Sequence, residues 1–314
     1  MQVEERISVY SIIVTYNAMK WVDKCLGSLR QSSVPVIPVI IDNCSKDETV
    51  SYVEKNYPEA HLIVNKENKG FGQANNQGIE WAYKQGATHF FLLNQDAWVQ
   101  SNTIERIIEI QEKHQLAIVS PVHLNGKGDE VDINFRAYVT ADKNLNTVFF
   151  RDAILGQFKE YYVVARINAA AWMISRKTIE EIGGFDPVFF LYGEDDNYLQ
   201  RLHYHGGQLA FVPDSFVYHD RKIHGDAKAF NKLELRNWLV GSYTNINIPL
   251  YTINKRRVYW HVKTFWLFAK YLFTFRFKAA FAVCGSFFSY ISAWPQIVRS
   301  RKNNKKMGAN WLKL

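Results

Sequence analysis

The stretch Phe90-Phe91-Leu92-Leu93-Asn94-Gln95-Asp96 decides the fold. Its apolar run is short enough for a strand buried on both faces, and a polar Asn-x-Asp stands at its carboxyl end. In open α/β sheets, ligands bind in the crevice outside the carboxyl ends of the strands. Asp96 is thereby placed where a ligand lies. A carboxylate is a natural oxygen ligand for Mg²⁺ or Mn²⁺ carrying a phosphate. The structural alternative is that Asn94 and Asp96 close a turn and cap a helix beginning near Ser101.

Upstream, residues 7–14 are β-branched and apolar, a central strand ending in Thr15-Tyr16-Asn17. Trp21, Val22, Cys25, Leu26 and Leu29 then recur at helical spacing. A second strand over 36–41, with Pro38 near its start, ends in Asp42-Asn43-Cys44-Ser45. Ser45 with Glu48 reads as a capping box for the helix that follows. A short strand over 61–64, the segment Asn68-Lys69-Gly70-Phe71-Gly72 and a helix closed by Gly86 lead into the opening stretch. This alternation predicts a doubly wound, mostly parallel α/β sheet. Polar clusters then stand after its first, second and fourth strands, along one edge.

Downstream the rhythm weakens. Residues 125–157 are rich in Gly, Asp, Asn and Lys and read as loops and short strands, and residues 163–175 are apolar again. Gly183-Gly184-Phe185-Asp186-Pro187 reads as a turn before Glu194-Asp195-Asp196, an acidic helix start that the helix dipole favours. Three consecutive carboxylates exceed what a helix terminus needs. Residues 209–212 and 216–218 read as two short strands, the second ending in His219-Asp220.

The chain of 314 residues, 47% hydrophobic and 22% charged, suits one large or two small folded domains. Cys25, Cys44 and Cys284 are scattered and odd in number, the pattern of reduced thiols and not of a disulfide framework or zinc site. The start at Met1 lacks an apolar h-region, so no secretory signal is expected. The net charge of +8 is unevenly spread. Residues 235–314 carry 14 of the 38 Lys and Arg and none of the 30 acids, leaving 24 basic against 30 acidic residues in 1–234.

Taken together, the motifs resemble family 2 glycosyltransferases of the GT-A fold, in the bacterial branch that includes rhamnosyl- and galactofuranosyl-transferases. The resemblance spans about residues 7–221. It rests on an ordered series: residues 11–17, Asp42-Asn43-Cys44-Ser45-Lys46-Asp47, residues 68–78, Leu93-Asn94-Gln95-Asp96, Gly183-Gly184-Phe185-Asp186, Glu194-Asp195 and His219. The resemblance implies that Thr15, Tyr16 and Asn17 line the base and ribose pocket and that Asp42 hydrogen-bonds the base or ribose. It further implies that Asn43, Gly70 and Asn76 lie against the donor, and that Asn94-Gln95-Asp96 is the metal motif. Asp96 and His219 would hold Mg²⁺ or Mn²⁺ against the diphosphate. Asp195 matches the catalytic base, with Glu194, Asp196, Arg201 and Trp172 as acceptor-side or motif candidates. Asn197 stands where the family often has a second Asp, so Asp196 remains open as the base. The Gln-x-x-Arg-Trp motif of processive synthases is absent near Gln200-Arg201.

The implied activity is inverting, metal-dependent transfer of a sugar, rhamnose among the candidates, from a UDP- or dTDP-sugar. The implied acceptor is a glycan or lipid-linked precursor in cell-surface polysaccharide synthesis. Alternatives are transfer directly to a polyprenyl phosphate, or a catalytically silent GT-A module scaffolding a membrane assembly. The expected division is a GT-A domain over 1–234 and a helical tail over 235–314. Aromatic residues interleaved with cations and no acids fit in-plane helices on an anionic membrane surface. The uncharged run 279–298 has nominal spanning length, and a homo-oligomer interface is the other alternative. No nucleic-acid module is visible. The expected location is cytoplasmic, peripheral at the inner face of the cell membrane.

Overall fold

A computed structural model describes residues 7–221 and 232–314. The expected lack of a secretory signal rests partly on residues 1–6, which lie outside them. From the amino end the chain runs β1 (Val9–Thr15), α1 (Val22–Arg30), β2 (Val36–Asp42), α2 (Thr49–Asn56), β3 (His61–Val64), α3 (Phe71–Lys84) and β4 (His89–Leu93). This is the alternation that the apolar pattern predicts. It continues through β5 (Ala97–Val99), α4 (Thr103–His114), β6 (Ile118–Asn125), α5 (Ile133–Ala141), α6 (Lys143–Leu155), β7 (Tyr162–Val163), β8 (Ala171–Ser175), α7 (Arg176–Ile182), α8 (Glu194–Tyr204) and β9 (Leu209–His219). Four helices close it: α9 (Lys232–Thr244), α10 (Leu250–Phe273), α11 (Phe277–Ser292) and α12 (Trp294–Asn304).

The strands form one sheet in the order β3-β2-β1-β4-β8-β6-β9-β5, with β7 paired to β9. The pairings make β1, β2, β3, β4, β6 and β9 run one way and β5, β7 and β8 the other. The fold is therefore α/β with a mostly parallel sheet, and the carboxyl ends of β1, β2, β4 and β9 share an edge. Alternation along β4 sends Phe90 and Leu92 into one apolar layer and Phe91 and Leu93 into the other. All four are buried, as a central strand covered by helices on both faces requires.

Four local expectations are corrected. Residues 125–157 hold two helices: Asp132 accepts the N–H groups of Asn134 and Phe135, and Asp142 those of Asn144 and Leu145. Polar composition masked these N-caps. Ser45 caps no helix; its hydroxyl turns back to Asp42 at 2.5 Å, and α2 begins only after Glu48. The two short strands over 209–218 are one strand, β9, whose register against β6 slips between Pro121 and Val122. Finally, Asn94 and Asp96 do not cap α4, whose N-cap is Asn102.

The C-terminal quarter returns to the sheet domain. Arg301 donates to the carbonyls of Tyr243, Asn245 and Ile248. Ser300 and Asn304 donate to the buried Asp186 carboxylate at 2.5 and 3.1 Å. Beyond α12, the N–H of Gly184 meets the Asn310 carbonyl at 2.8 Å, and Leu312 packs against the central core. A Cβ on Gly183, at φ +85°, would lie 2.1 Å from that same carbonyl, which explains the glycine.

A chain cut near Tyr251 would strand Asp186 without these partners. The double variant Ser300→Ala, Asn304→Leu isolates that effect. It should lose about 3 kcal/mol of stability in urea unfolding, the cost of a buried carboxylate oxygen stripped of both donors while Oδ1 keeps only the Val188 N–H. A stability equal to wild type would show that the returning segment carries no structural weight.

Candidate active site

The candidate site is built where the carboxyl ends of β1, β2, β4 and β9 meet. At the end of β4, the N–H of Asn94 donates to the Ala170 carbonyl just before β8, and Ala97 N–H closes a turn on the Asn94 carbonyl. That turn delivers Asp96 beside β9, because Ala97 is in register with His219. Asp96 Oδ1 lies 3.2 Å from His219 Nε2, and the Asn94 amide nitrogen lies 3.4 Å from the same imidazole nitrogen. His219 is buried, whereas the Asp96 side chain is partly open to the crevice.

One carboxylate oxygen and one imidazole nitrogen stand together, next to Asn94 Oδ1, which is buried with no hydrogen-bond partner. Among the described residues no third His, Cys, Asp or Glu joins them. This donor set fits a divalent cation whose remaining positions are completed by ligand oxygens and water.

Two cavities meet at Asn94. One, of about 330 Å³, is lined by Tyr16, Asn43, Gly70 and Gln95, with Asp96 at its edge. The other, of about 620 Å³, is lined by Asp195, Asp196, Arg166, Tyr138, Arg221 and residues of α9. Asn94, Phe71, Leu191 and Tyr192 border both.

The smaller cavity rests on backbone-directed side chains. Tyr16 N–H donates to Gln95 Oε1 at 2.6 Å, joining the ends of β1 and β4. Asn43 accepts the Lys69 N–H and donates to Asn68 and the Gly70 carbonyl, so it shapes the loop before α3. Gly70, at φ +80°, would place a Cβ 2.0 Å from the Phe190 carbonyl oxygen, so only glycine lets this loop meet residues 190–193.

Seven expected site residues line neither cavity; His219 is one of them, standing behind Asp96. Asp42 is buried, accepting from the Thr15 and Ser45 hydroxyls and the Ser45 N–H. Thr15 is thus tied to Asp42. Asn17 bridges the β1 and β2 loops by bonding Ser45 and Lys46. Asn76 grips both backbone groups of Phe185, at 2.8 and 2.7 Å. Arg201 is buried and donates to the carbonyls of Ile182 and Gly184. Trp172 packs against Tyr198 in the core. Motif position alone gives no sign of which side of a loop a residue faces.

The larger cavity holds the acidic helix start. Asp196 is held by Arg166 through two contacts, Nε to Oδ1 at 2.5 Å and Nη2 to Oδ2 at 2.8 Å. Asp195 accepts the Asp196 N–H at 2.8 Å and faces the same cavity. Burial raises the Asp195 carboxyl above its ordinary value, with the Arg166 guanidinium opposing the shift. Asp196 is pushed up to about 6 by burial and the Asp195 charge, again opposed by Arg166. Glu194, pushed up to about 8 by burial and by Asp195, is neutral near pH 7. Arg166, Tyr138 and the α9 residues carry no motif by which the sequence alone could select them.

A mostly parallel sheet with two adjoining cavities at the carboxyl ends of its strands, one of them acidic, has the architecture of a GT-A fold. The glycosyl transferase family 2 model matches residues 10–183, and the chain belongs to that family. It is 24% identical over 164 residues to the low-salt glycan biosynthesis hexosyltransferase Agl10 of Haloferax volcanii, covering 52% of each chain. It is 23% identical over 239 residues to the N-acetylglucosaminyl-diphospho-decaprenol L-rhamnosyltransferase of Mycobacterium tuberculosis, covering 69% of this chain and 77% of that one. Among solved structures, S. aureus TarS 1–349 in complex with UDP shares the fold at a TM-score of 0.55 and 15% identity, over 76% of this chain and 65% of that one. The chain thus spans about half the length of Agl10 and just under two thirds of the TarS fragment.

Asn76→Ala separates a structural from a donor-facing role. Leaving both Phe185 backbone groups unpaired should cost about 2–3 kcal/mol in urea unfolding. Calorimetric affinity of the folded variant for a nucleoside diphosphate should match wild type. Lost affinity with unchanged stability would return Asn76 to the donor site.

Proposed function

We propose that the chain transfers a sugar with inversion from a UDP- or dTDP-sugar to a hydroxyl of a glycan or lipid-linked acceptor, in cell-surface polysaccharide synthesis. The observation that carries this reading is the junction at Asn94, with Asp96, backed by His219, bordering the smaller cavity and Asp195 the larger. The smaller cavity suits the donor and the larger the acceptor. The relative named for rhamnose transfer to a diphospho-decaprenol acceptor supports rhamnose and a lipid-linked acceptor as the first to try.

In this reading the acceptor oxygen bonds to the anomeric carbon as the bond from that carbon to the diphosphate oxygen breaks. The bonding pair leaves with the nucleoside diphosphate, and the acceptor proton passes to Asp195. Asp196 is less suited because Arg166 engages both its oxygens. A divalent cation at Asp96 and His219 would supply positive charge for the diphosphate. Gln95 and Asn43 shape the donor cavity, while Leu191 and Tyr192 wall it from the acceptor side.

The test is a panel of UDP- and dTDP-sugars with Mn²⁺ or Mg²⁺ and hydroxyl acceptors. Asp195→Asn should lower kcat by roughly 10² to 10⁴ with donor binding retained, and Asp196→Asn far less. An acceptor phosphate is already ionised and needs no base. Transfer surviving Asp195→Asn would therefore favour the polyprenyl phosphate reading. Absence of any transfer by the wild type would favour the silent module. Asp96→Ala should abolish the cation-dependent part of nucleoside diphosphate affinity in calorimetry; unchanged affinity would sink the Asp96 assignment.

A pH profile adds a signed prediction. The base must be ionised, so kcat/KM rises with pH through the raised Asp195 value. Arg166→Ala removes the charge that favours the ionised carboxylates and should move this acidic limb to higher pH. An unmoved limb would place the base elsewhere.

A further inference from the structure

Helices that flank a core ordinarily turn their apolar stripe inward. In α10 and α11 it points outward. Along α10, Val258, Val262, Phe265 and Phe273 recur at helical spacing, and all are exposed, Phe265 at 73% and Phe273 at 84%. Along α11, Phe277, Phe281 and Phe288 do the same, with Phe281 at 70%. The two helices pack on each other through other positions, including His261 against Phe287 at 5.1 Å. Their small residues Ala280 and Val283 are buried, so the aromatic face is surplus to the packing.

The turn between them concentrates the pattern. Phe273, Phe275, Phe277 and Phe281 stand exposed around Arg276 and Lys278. Lys270 lies over the exposed Trp266 ring at 5.2 Å, so cations and aromatics share one surface. No acid occurs anywhere in residues 235–314. Among the described residues no single helix is long and apolar enough to cross a bilayer. The uncharged run 279–298 is split between α11 and α12, which together have the length and composition of a broken span with a 50° bend.

We infer that the α10–α11 hairpin is a docking surface for an anionic phospholipid bilayer, its Phe273–Phe281 tip entering the interface and its cations meeting the headgroups. Aromatic rings with flanking Lys and Arg suit the headgroup boundary, and anionic lipid complements a surface that carries cations without acids. The other side of the hairpin explains why docking matters. Helix α11 packs on α9, and Asn237, Gly241 and Ser242 of α9 wall the larger cavity. The bilayer is thereby fixed relative to the cavity proposed above for the acceptor. Delivery of a lipid-linked acceptor into it rests on that proposed function.

The test is co-sedimentation of the full chain with vesicles of phosphatidylcholine alone and with phosphatidylglycerol added. Binding should be stronger to the anionic vesicles and weaken with salt without vanishing, because aromatic insertion is not screened. The quadruple variant Phe273→Ser, Phe275→Ser, Phe277→Ser, Phe281→Ser should reduce partitioning by about tenfold or more. The pair Phe150→Ser, Ile154→Ser, on the separately exposed face of α6, should leave it unchanged. Equal binding by the quadruple variant and wild type would overturn the inference. So would a wild type that ignores vesicles and forms, by light scattering, a dimer that the quadruple variant loses. UDP and dTDP affinity measured on the same preparation keeps the two proposals apart. Vesicle binding without nucleotide binding would overturn only the function, and the converse would overturn only the docking.

Discussion

The site depends on how one backbone segment is held. Residues 182–186 turn the chain from α7 toward the acidic start of α8, and their carbonyl and N–H groups are buried beyond the reach of bulk water. Asn76 takes both backbone groups of Phe185, Arg201 takes the carbonyls of Ile182 and Gly184, and Asn310 takes the Gly184 N–H. Ser300 and Asn304 hold the Asp186 carboxylate. A buried polar group is costly when unpaired, so these partners act as a set. Through them α3, α8 and the C-terminal segment all bear on where Asp195 stands.

A second constraint is electrostatic. Three adjacent carboxylates at a helix N-terminus repel one another, and burial further disfavours their charge. The site answers by leaving Glu194 neutral near pH 7 and giving Asp196 a guanidinium partner. Asp195 stands beside that fixed cation and at a helix terminus that favours anions, both opposing the rise that burial imposes on its carboxyl. The arrangement places three chemically similar groups in three different electrostatic surroundings.

The C-terminal helices join the two ends of this design. Their inner side supplies α9 to the larger cavity and α12 to the Asp186 clasp, while their outer side carries the exposed aromatics. A segment that looks from composition like an appendage therefore also supplies part of the site's wall.

By itself the sequence determined the alternation of strands and helices through β4, the shared polar edge and the family. These follow from local information: apolar runs of strand length, glycine punctuation and an ordered motif series. The positions of Asn94 and Asp96 at the end of β4, His219 at the end of β9 and Asp195 at the start of α8 were legible for the same reason. Tertiary structure decided the rest. Only packing shows that Asn76 and Arg201 face a buried backbone turn, that Asp42 is spent on Thr15 and Ser45, and that Arg166 reaches Asp196. It also decided that the tail's last residues return to Gly184 across more than a hundred positions of chain. Such pairings follow from the three-dimensional path of the chain, and no spacing along the sequence encodes them.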